Sequence, residues 1–179
     1  MEQRGCDDLV YAAAGGCAAA FAALIDANYD RIHAMAWRWA GNGPDAEDIA
    51  QDVCIKLGKA IREFRGEAAF TTWLYRITYN AAIDHLRARQ KTLATEPSQI
   101  VKLVDRPSDI TPETKVMGAQ LWDQVRALPP QQRDSVLLVY AQDLSHSEAA
   151  QILGCSEKTI SWHLHEARKK LKATLEAAE

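Results

Sequence analysis

The stretch Leu144-Ser-His-Ser-Glu-Ala-Ala-Gln-Ile-Leu-Gly-Cys-Ser-Glu-Lys-Thr-Ile-Ser-Trp-His-Leu164 decides how this chain folds. Ser145 and Glu148 have the spacing of a capping box, in which the serine takes the third amide of a helix and the glutamate reaches back to the first. That predicts a short helix ending at Leu153. Gly154 follows as the turn residue, because glycine enters the left-handed region without a Cβ penalty. Ser156 is placed to cap a second helix running to about Leu175. Ala150, Gly154 and Ile160 then fall at helix-turn-helix spacing: a small residue where helices cross, a glycine in the turn, and a β-branched side chain locking the second helix onto the first. A plain helical hairpin inside a bundle fits the same residues. In the helix-turn-helix reading the first turns of the second helix face a DNA major groove. Lys158, Thr159 and Ser161 can donate there to bases or phosphates, while Arg168, Lys169, Lys170 and Lys172 suit backbone phosphates further along. A solvated basic helix end complementing the macrodipole is the plainer account of that last cluster.

Upstream, helical spacing extends this unit back to Thr111-Pro112-Glu113, with Thr as N-cap and Pro at the first helical position. Breaks are expected at Leu128-Pro129-Pro130 and near Gln142-Asp143. Residues 92–114, with Pro97, Pro107 and no sustained periodicity, read as a linker. Before it lies a second helical unit, residues 18–91, preceded by an N-terminal segment, residues 1–17. Phe21, Ile25, Tyr29, Ile32, Ala36 and Trp39 recur in steps of three or four, marking one helix face. Gly41-Asn42-Gly43-Pro44 ends that helix, and Asp45 is read as the N-cap of the next. That helix runs to about Phe64 and buries Ile49, Val53, Leu57 and Ile61. A third begins near Thr71 and ends near Lys91, with Phe70, Leu74, Ile77 and Ala81 as its apolar stripe. No run alternates with period two, so the expected fold is all-α: two small helical domains, 18–91 and 115–179, on a flexible tether.

Two surfaces of the first unit have opposite sign. Asp45, Asp48 and Asp52 fall at i, i+3 and i+7 on one side of a helix, with Gln51 beside them. Arg76, Asn80, Arg87 and Lys91 form a polar-basic face, near the aromatics Phe64, Phe70, Trp73, Tyr75 and Tyr79. Basic residues interleaved with aromatics can track phosphates and stack unpaired bases. An acidic face beside a basic one suggests a protein partner for the first and nucleic acid for the second. Each has a plainer account: a dipole-matched solvated face for the acids, and a core for Phe70 and Trp73.

Composition fits this picture. The chain has 179 residues, 47% hydrophobic and 25% charged, with a net charge of −3. Low-complexity disorder, collagen-like repeats and a disulfide-dense miniprotein are excluded. The total conceals a division: residues 76–91 and 157–172 each carry +3, leaving −9 on the remainder. No run approaches roughly eighteen apolar residues, and Met1-Glu2-Gln3-Arg4 offers no basic start before an apolar core. Neither a membrane span nor a signal peptide is therefore expected, and the protein is expected in the cytosol. Cys6, Cys17, Cys54 and Cys155 form no C-x-x-C pair and are read as buried free thiols. His163 and His165 lie about 200° apart around a helix and cannot hold one metal together, so no metal or cofactor is expected.

These residues carry a resemblance. Asp45-Ala-Glu-Asp-Ile-Ala-Gln-Asp52, Phe64-Arg-Gly66, Thr72-Trp-Leu-Tyr-Arg-Ile77, Asn80 and Asp84-His-Leu-Arg87 resemble conserved region 2 of bacterial sigma factors. Leu128-Pro-Pro-Gln-Gln-Arg133 and Leu144 through Arg168 resemble region 4. The chain resembles an extracytoplasmic-function (ECF, group 4) member of the sigma-70 family, over roughly residues 18–91 and 115–175. The resemblance implies that Asp45, Asp48, Gln51 and Asp52 dock on the β′ clamp helices of core RNA polymerase, with the β subunit a further contact. It implies that Phe64, Arg65, Gly66, Phe70, Trp73, Arg76, Asn80, Asp84 and Arg87 recognise and melt the −10 element, where bases leave the stack. It implies that Ser156, Lys158, Thr159, Ser161, Trp162, His165, Arg168 and Lys169 read the −35 element. It further implies a linker threaded toward the polymerase active-site and RNA-exit channels, and an anti-sigma partner. Family members often carry Gly-Thr-Val-Lys-Ser-Arg-Leu along the recognition helix, where this chain has Lys158-Thr-Ile-Ser-Trp-His-Leu164, so two commonly basic positions are Ser161 and His163. A self-sufficient repressor would need neither surface of the first unit. An enzyme would need a carboxylate or metal cluster in a pocket, and Asp45, Asp48 and Asp52 read better as a docking face.

Overall fold

The computed structural model describes residues 2–95 and 121–176, which contain helices and no strand. The N-cap expected at Thr111, the start of the second unit at Pro112 and most of the linker lie outside the described residues. The chain divides into two compact units, residues 1–105 and 106–179.

In the first unit α1 (Glu2–Ala14) packs on α2 (Ala18–Ala40), and α2 packs on α3 (Gly43–Ala60) and α4 (Phe70–Thr95). A 3-10 turn, Ile61–Glu63, closes α3. The core joins Leu24, Ile32, Met35 and Trp39 to Ile49, Val53, Leu57 and Leu74, all at most 2% exposed. Each such side chain contributes roughly 1.5–3 kcal/mol of burial. The N-terminal segment, to which the sequence assigned no element, contains α1, which buries Val10 and Ala13. Three sequence expectations are corrected here. The buried line of α2 begins at Ala20, Leu24 and Asn28, leaving Phe21, Ile25 and Tyr29 half-buried; Asn28 is tolerated inside because its amide donates to the Leu24 carbonyl at 2.8 Å. Asp45 is not the N-cap of α3: Asn42 is, its side chain accepting from the Asp45 amide at 2.9 Å, with Pro44 in the first turn. The helix ends at Ala60, so Phe64 lies in extended backbone beyond it.

On α4 the buried line is Phe70, Leu74, Thr78, Ala81 and Ala82, with Ile77 half-buried. The Thr78 hydroxyl donates to the Leu74 carbonyl at 3.0 Å, which satisfies it inside the core. The helix continues past the expected Lys91 to Thr95.

The second unit contains helical residues 121–127 (α5), α6 (Pro130–Ala141), α7 (His146–Leu153) and α8 (Glu157–Glu176). Its core collects Val125, Leu137, Leu138, Ala149, Ile152, Ile160, Leu164 and Ala167. The chain breaks at Leu128-Pro129 and at Gln142-Asp143, as expected, with Asp143 in the left-handed region (φ 54°).

Candidate protein- and nucleic-acid-binding surfaces

The acidic residues of α3 divide into two groups. Asp48 and Gln51 are exposed, and Ile55, one turn further on, is 59% exposed on the same side. Asp45, by contrast, turns toward α4. Its carboxylate accepts from Asn42 Nδ2 at 2.8 Å, sits 3.3 Å from His85 Nε2 and pairs with Arg89. Burial pushes this carboxyl up, but the Asn42 and His85 hydrogen bonds and the Arg89 guanidinium outweigh it, and the group is held below the usual carboxylate range. Asp52 pairs with Lys56 at 2.9 Å, and Lys56 also lies 3.7 Å from Asp84 of α4. Thus Asp45, of the expected docking residues, ties α3 to α4, Asp52 holds Lys56 on its own helix, and Asp84, expected at DNA, faces Lys56.

Glu47 organises the neighbouring face. It accepts from the Tyr29 hydroxyl at 2.8 Å and from Gln51 at 3.3 Å, with His33 at 3.7 Å. The hydrogen bond to Glu47 leads the causes that push Tyr29 up to about 12, and the same bond holds Glu47 below its usual value. Neither Glu47 nor Ile55 was singled out by the sequence. The i, i+4, i+8 spacing of Glu47, Gln51 and Ile55 was available, but only the packing of α2 on α3 brings Tyr29 to it.

Beyond α3 the chain carries the aromatic cluster. The Phe64 ring lies 5.1 Å from Trp73 and 5.9 Å from Phe70 in tilted and edge-on arrangements, which suit aromatic quadrupoles. Phe70 is only 5% exposed, so it supports this cluster from beneath; Phe64 and Trp73 are half-buried and keep open edges. Gly66 has φ 71°, so the loop depends on glycine there. Arg65, Arg76, Asn80, Asp84 and Arg87 are all exposed. Arg62, Glu63, Arg65 and Glu67 line an open cavity of about 580 Å³.

The second unit presents α8. Both halves of the capping box form: Glu148 N to Ser145 Oγ at 3.2 Å and Ser145 N to Glu148 Oε2 at 2.9 Å. Gly154 takes the left-handed turn at φ 65°. Ser156 Oγ accepts from the Thr159 amide at 3.1 Å and lies 2.8 Å from Thr159 Oγ1, so both hydroxyls are engaged in capping α8. Ser161 Oγ is 3.2 Å from His146 Nδ1 of α7. Lys158, Trp162, His165, Arg168 and Lys169 are exposed, Trp162 by 57%. His163 points inward and is buried, whereas His165 is exposed. The cation that Ser161 lacks is therefore not replaced by its neighbour His163.

The cysteines differ from expectation. Cys17 is exposed because it occupies the turn before α2 rather than a helix stripe, and Cys54 and Cys155 are half-buried, with burial raising both thiols. The side chain of Cys6 lies outside the described residues. Among the described residues no helix is long and apolar enough to cross a membrane.

Comparison with known proteins identifies the family. Residues 24–92 match the model of sigma-70 region 2, and residues 118–171 match that of sigma-70 region 4. The chain is 32% identical over 171 residues to the ECF RNA polymerase sigma factor SigW of Bacillus subtilis, covering 87% of this chain and 89% of that one. It is 30% identical over 174 residues to SigM of Mycobacterium tuberculosis, covering 97% and 86%. Among solved structures, CnrH in complex with the cytosolic domain of CnrY superimposes with a TM-score of 0.73 at 24% identity, covering 96% of this chain and 97% of that one. The sigma factor RpoE of Bartonella quintana, in complex with the anti-sigma factor NepR, gives 0.73 at 21% identity, covering 89% and 98%.

Proposed function

We propose that this chain, which belongs to the ECF sigma factors of the sigma-70 family, binds core RNA polymerase and directs it to promoters as a group 4 factor of the bacterial cytoplasm. The observation that carries this is the order of surfaces in one chain. An acidic helix face adjoins a basic helix with an aromatic cluster, and a separate helix-turn-helix follows. A self-sufficient repressor needs only the last.

In this reading Asp48, Gln51 and Ile55 form the exposed part of the docking face for the β′ clamp helices. Asp45 and, through Lys56, Asp52 help to set the angle between α3 and α4. The loop 64–69 and the exposed edge of α4 meet the −10 element. Phe64 and Trp73 supply stacking surface for unpaired bases, Arg65, Asn80 and Arg87 supply polar contacts, and Phe70 supports them. On α8, Lys158, Trp162 and His165 meet base edges while Arg168 and Lys169 hold phosphates. Ser156, Thr159 and Ser161 orient that helix. The protein binds and melts DNA and leaves nucleotide chemistry to the polymerase. An anti-sigma protein is its regulatory partner.

The test is transcription with purified core polymerase on a promoter library, together with core affinity. Asp48→Ala with Gln51→Ala is expected to weaken core binding at least tenfold without changing the thermal unfolding of the protein. Unchanged core affinity removes the docking role, and failure to start transcription from any library member removes the whole reading.

A further inference from the structure

The helix α1 lies outside the residues matched to region 2, yet it reaches the loop expected at the −10 element. It packs on α2 through Val10 and Ala13 and contacts the Ile61–Glu63 turn. On its other side Tyr11 is 61% exposed, an unusual position for a phenol on a helix that has a core to enter. Its hydroxyl lies against Gly66: a Cβ built on that glycine would sit 2.9 Å from Tyr11 Oη and 4.0 Å from Cζ. A side chain added at Gly66 would therefore run into the phenol oxygen. Position 66 is thus restricted to glycine on two grounds, its left-handed φ of 71° and the tyrosine hydroxyl across its open face.

We propose that Tyr11 is a positioning residue for promoter melting, holding the Gly66 turn so that Phe64 and Arg65 meet unpaired −10 bases. The inference rests on assigning loop 64–69 to the −10 strand. Its physical basis is that the loop lies outside the helices and gets no backbone ladder of its own. A displaced base must find the stacking edge and the guanidinium already in place, since small misplacements at a reacting or binding centre carry large rate penalties. Tyr11 supplies a fixed point that does not touch the base.

The experiment uses full-length protein assembled with core polymerase, and reads the rate of −10 melting by permanganate reactivity, the core affinity, and thermal unfolding. Tyr11→Ala is expected to slow melting about tenfold while core affinity and unfolding stay near wild type. Tyr11→Phe removes the hydroxyl that lies against Gly66 and is expected to slow melting by part of the same factor. Gly66→Ala is expected to melt slowly in the wild-type background, because its Cβ meets the hydroxyl. In the Tyr11→Phe background that Cβ meets only carbon, so the loss is smaller by severalfold; the left-handed strain is common to both backgrounds and cancels in the cycle. Additive losses, or wild-type melting by Tyr11→Ala, overturn the proposal. So does a fall in core affinity or stability that matches the fall in melting, because it assigns α1 to the scaffold alone. Phe64→Ala separates this from the parent reading. If it too melts promoters at the wild-type rate, the −10 assignment of the loop fails, whereas a slow Phe64→Ala beside a normal Tyr11→Ala sinks only the role of Tyr11.

Discussion

Helices α3 and α4 share an apolar core and are also joined by charge at its edge. Asp45 of α3 holds His85 and Arg89 of α4, and Lys56 lies between Asp52 and Asp84. Helices α7 and α8 meet through apolar surface, with Ala149, Ala150 and Ile152 on one and Ile160 and Leu164 on the other buried. Their polar groups are used mostly within each helix or its cap: Ser145 with Glu148, Ser156 with Thr159. Between the two helices, Ser161 Oγ lies 3.2 Å from His146 Nδ1. The difference follows from what each pair must present. In the proposed reading the first unit offers one face to a protein and the adjoining face to DNA, so the angle between two helices matters, and oriented ion pairs help to set it. In the same reading the second unit offers one helix to a groove. Its cations gain most by staying solvated and available, because counterion release and steering depend on exposed charge.

The largest test of this contrast is Ile160→Ala. Truncating a fully buried aliphatic side chain costs about 2–4 kcal/mol, and denaturant unfolding followed by hydrogen exchange should lower protection across α6, α7 and α8 and leave the first unit unchanged. A matching loss in α2 or α3 breaks the description of two separate cores. Next comes Ser145→Ala, which removes half of the capping box at a cost of about 1 kcal/mol, read from exchange at the first turn of α7. An unaffected α7 means that packing alone holds it.

Asp45→Asn, worth about 0.5–1 kcal/mol, tests the charged hinge through its pH dependence. The folded carboxyl is held below its ordinary value, so its contribution is complete above the ordinary carboxylate range and disappears as the pH falls through the lowered value. The stability difference between wild type and variant should therefore vanish in strong acid. A difference that persists there assigns the effect to shape rather than charge. The smallest effects are in DNA binding: Arg87→Ala and Arg168→Ala should each reduce the salt slope of promoter binding by about 1. If only Arg168 does so, the basic face of α4 is not a phosphate surface.

Local signals carried much of this molecule. The capping box, Gly154 and the breaks at Pro129 and Asp143 are short-range events, and each appears where its residues place it. The exposed acids and bases of α3 and α4 were also legible, because helical spacing alone puts them on one face. Asp45 shows where this stops: its position on the acidic side of α3 was readable, but its partners lie about forty residues away, at 85 and 89, and only packing selects them. Asn42 was legible and was overlooked, because the surrounding glycines and proline read as a simple break rather than as a cap. The helix α1 was missed for another reason. Its burial rests on Val10 and Ala13 and is decided by the surface of α2 that receives them.

The sequence by itself determined an all-helical chain with two cores, a helix-turn-helix, and separate acidic and basic faces. All of these follow from periodicities and caps that act over a few residues. The tertiary structure alone decided which charges are available and which are spent, that His163 faces inward, and that Tyr11 meets Gly66. Those contacts join residues far apart in the chain, and no local spacing encodes a distance that only the packing of helices creates.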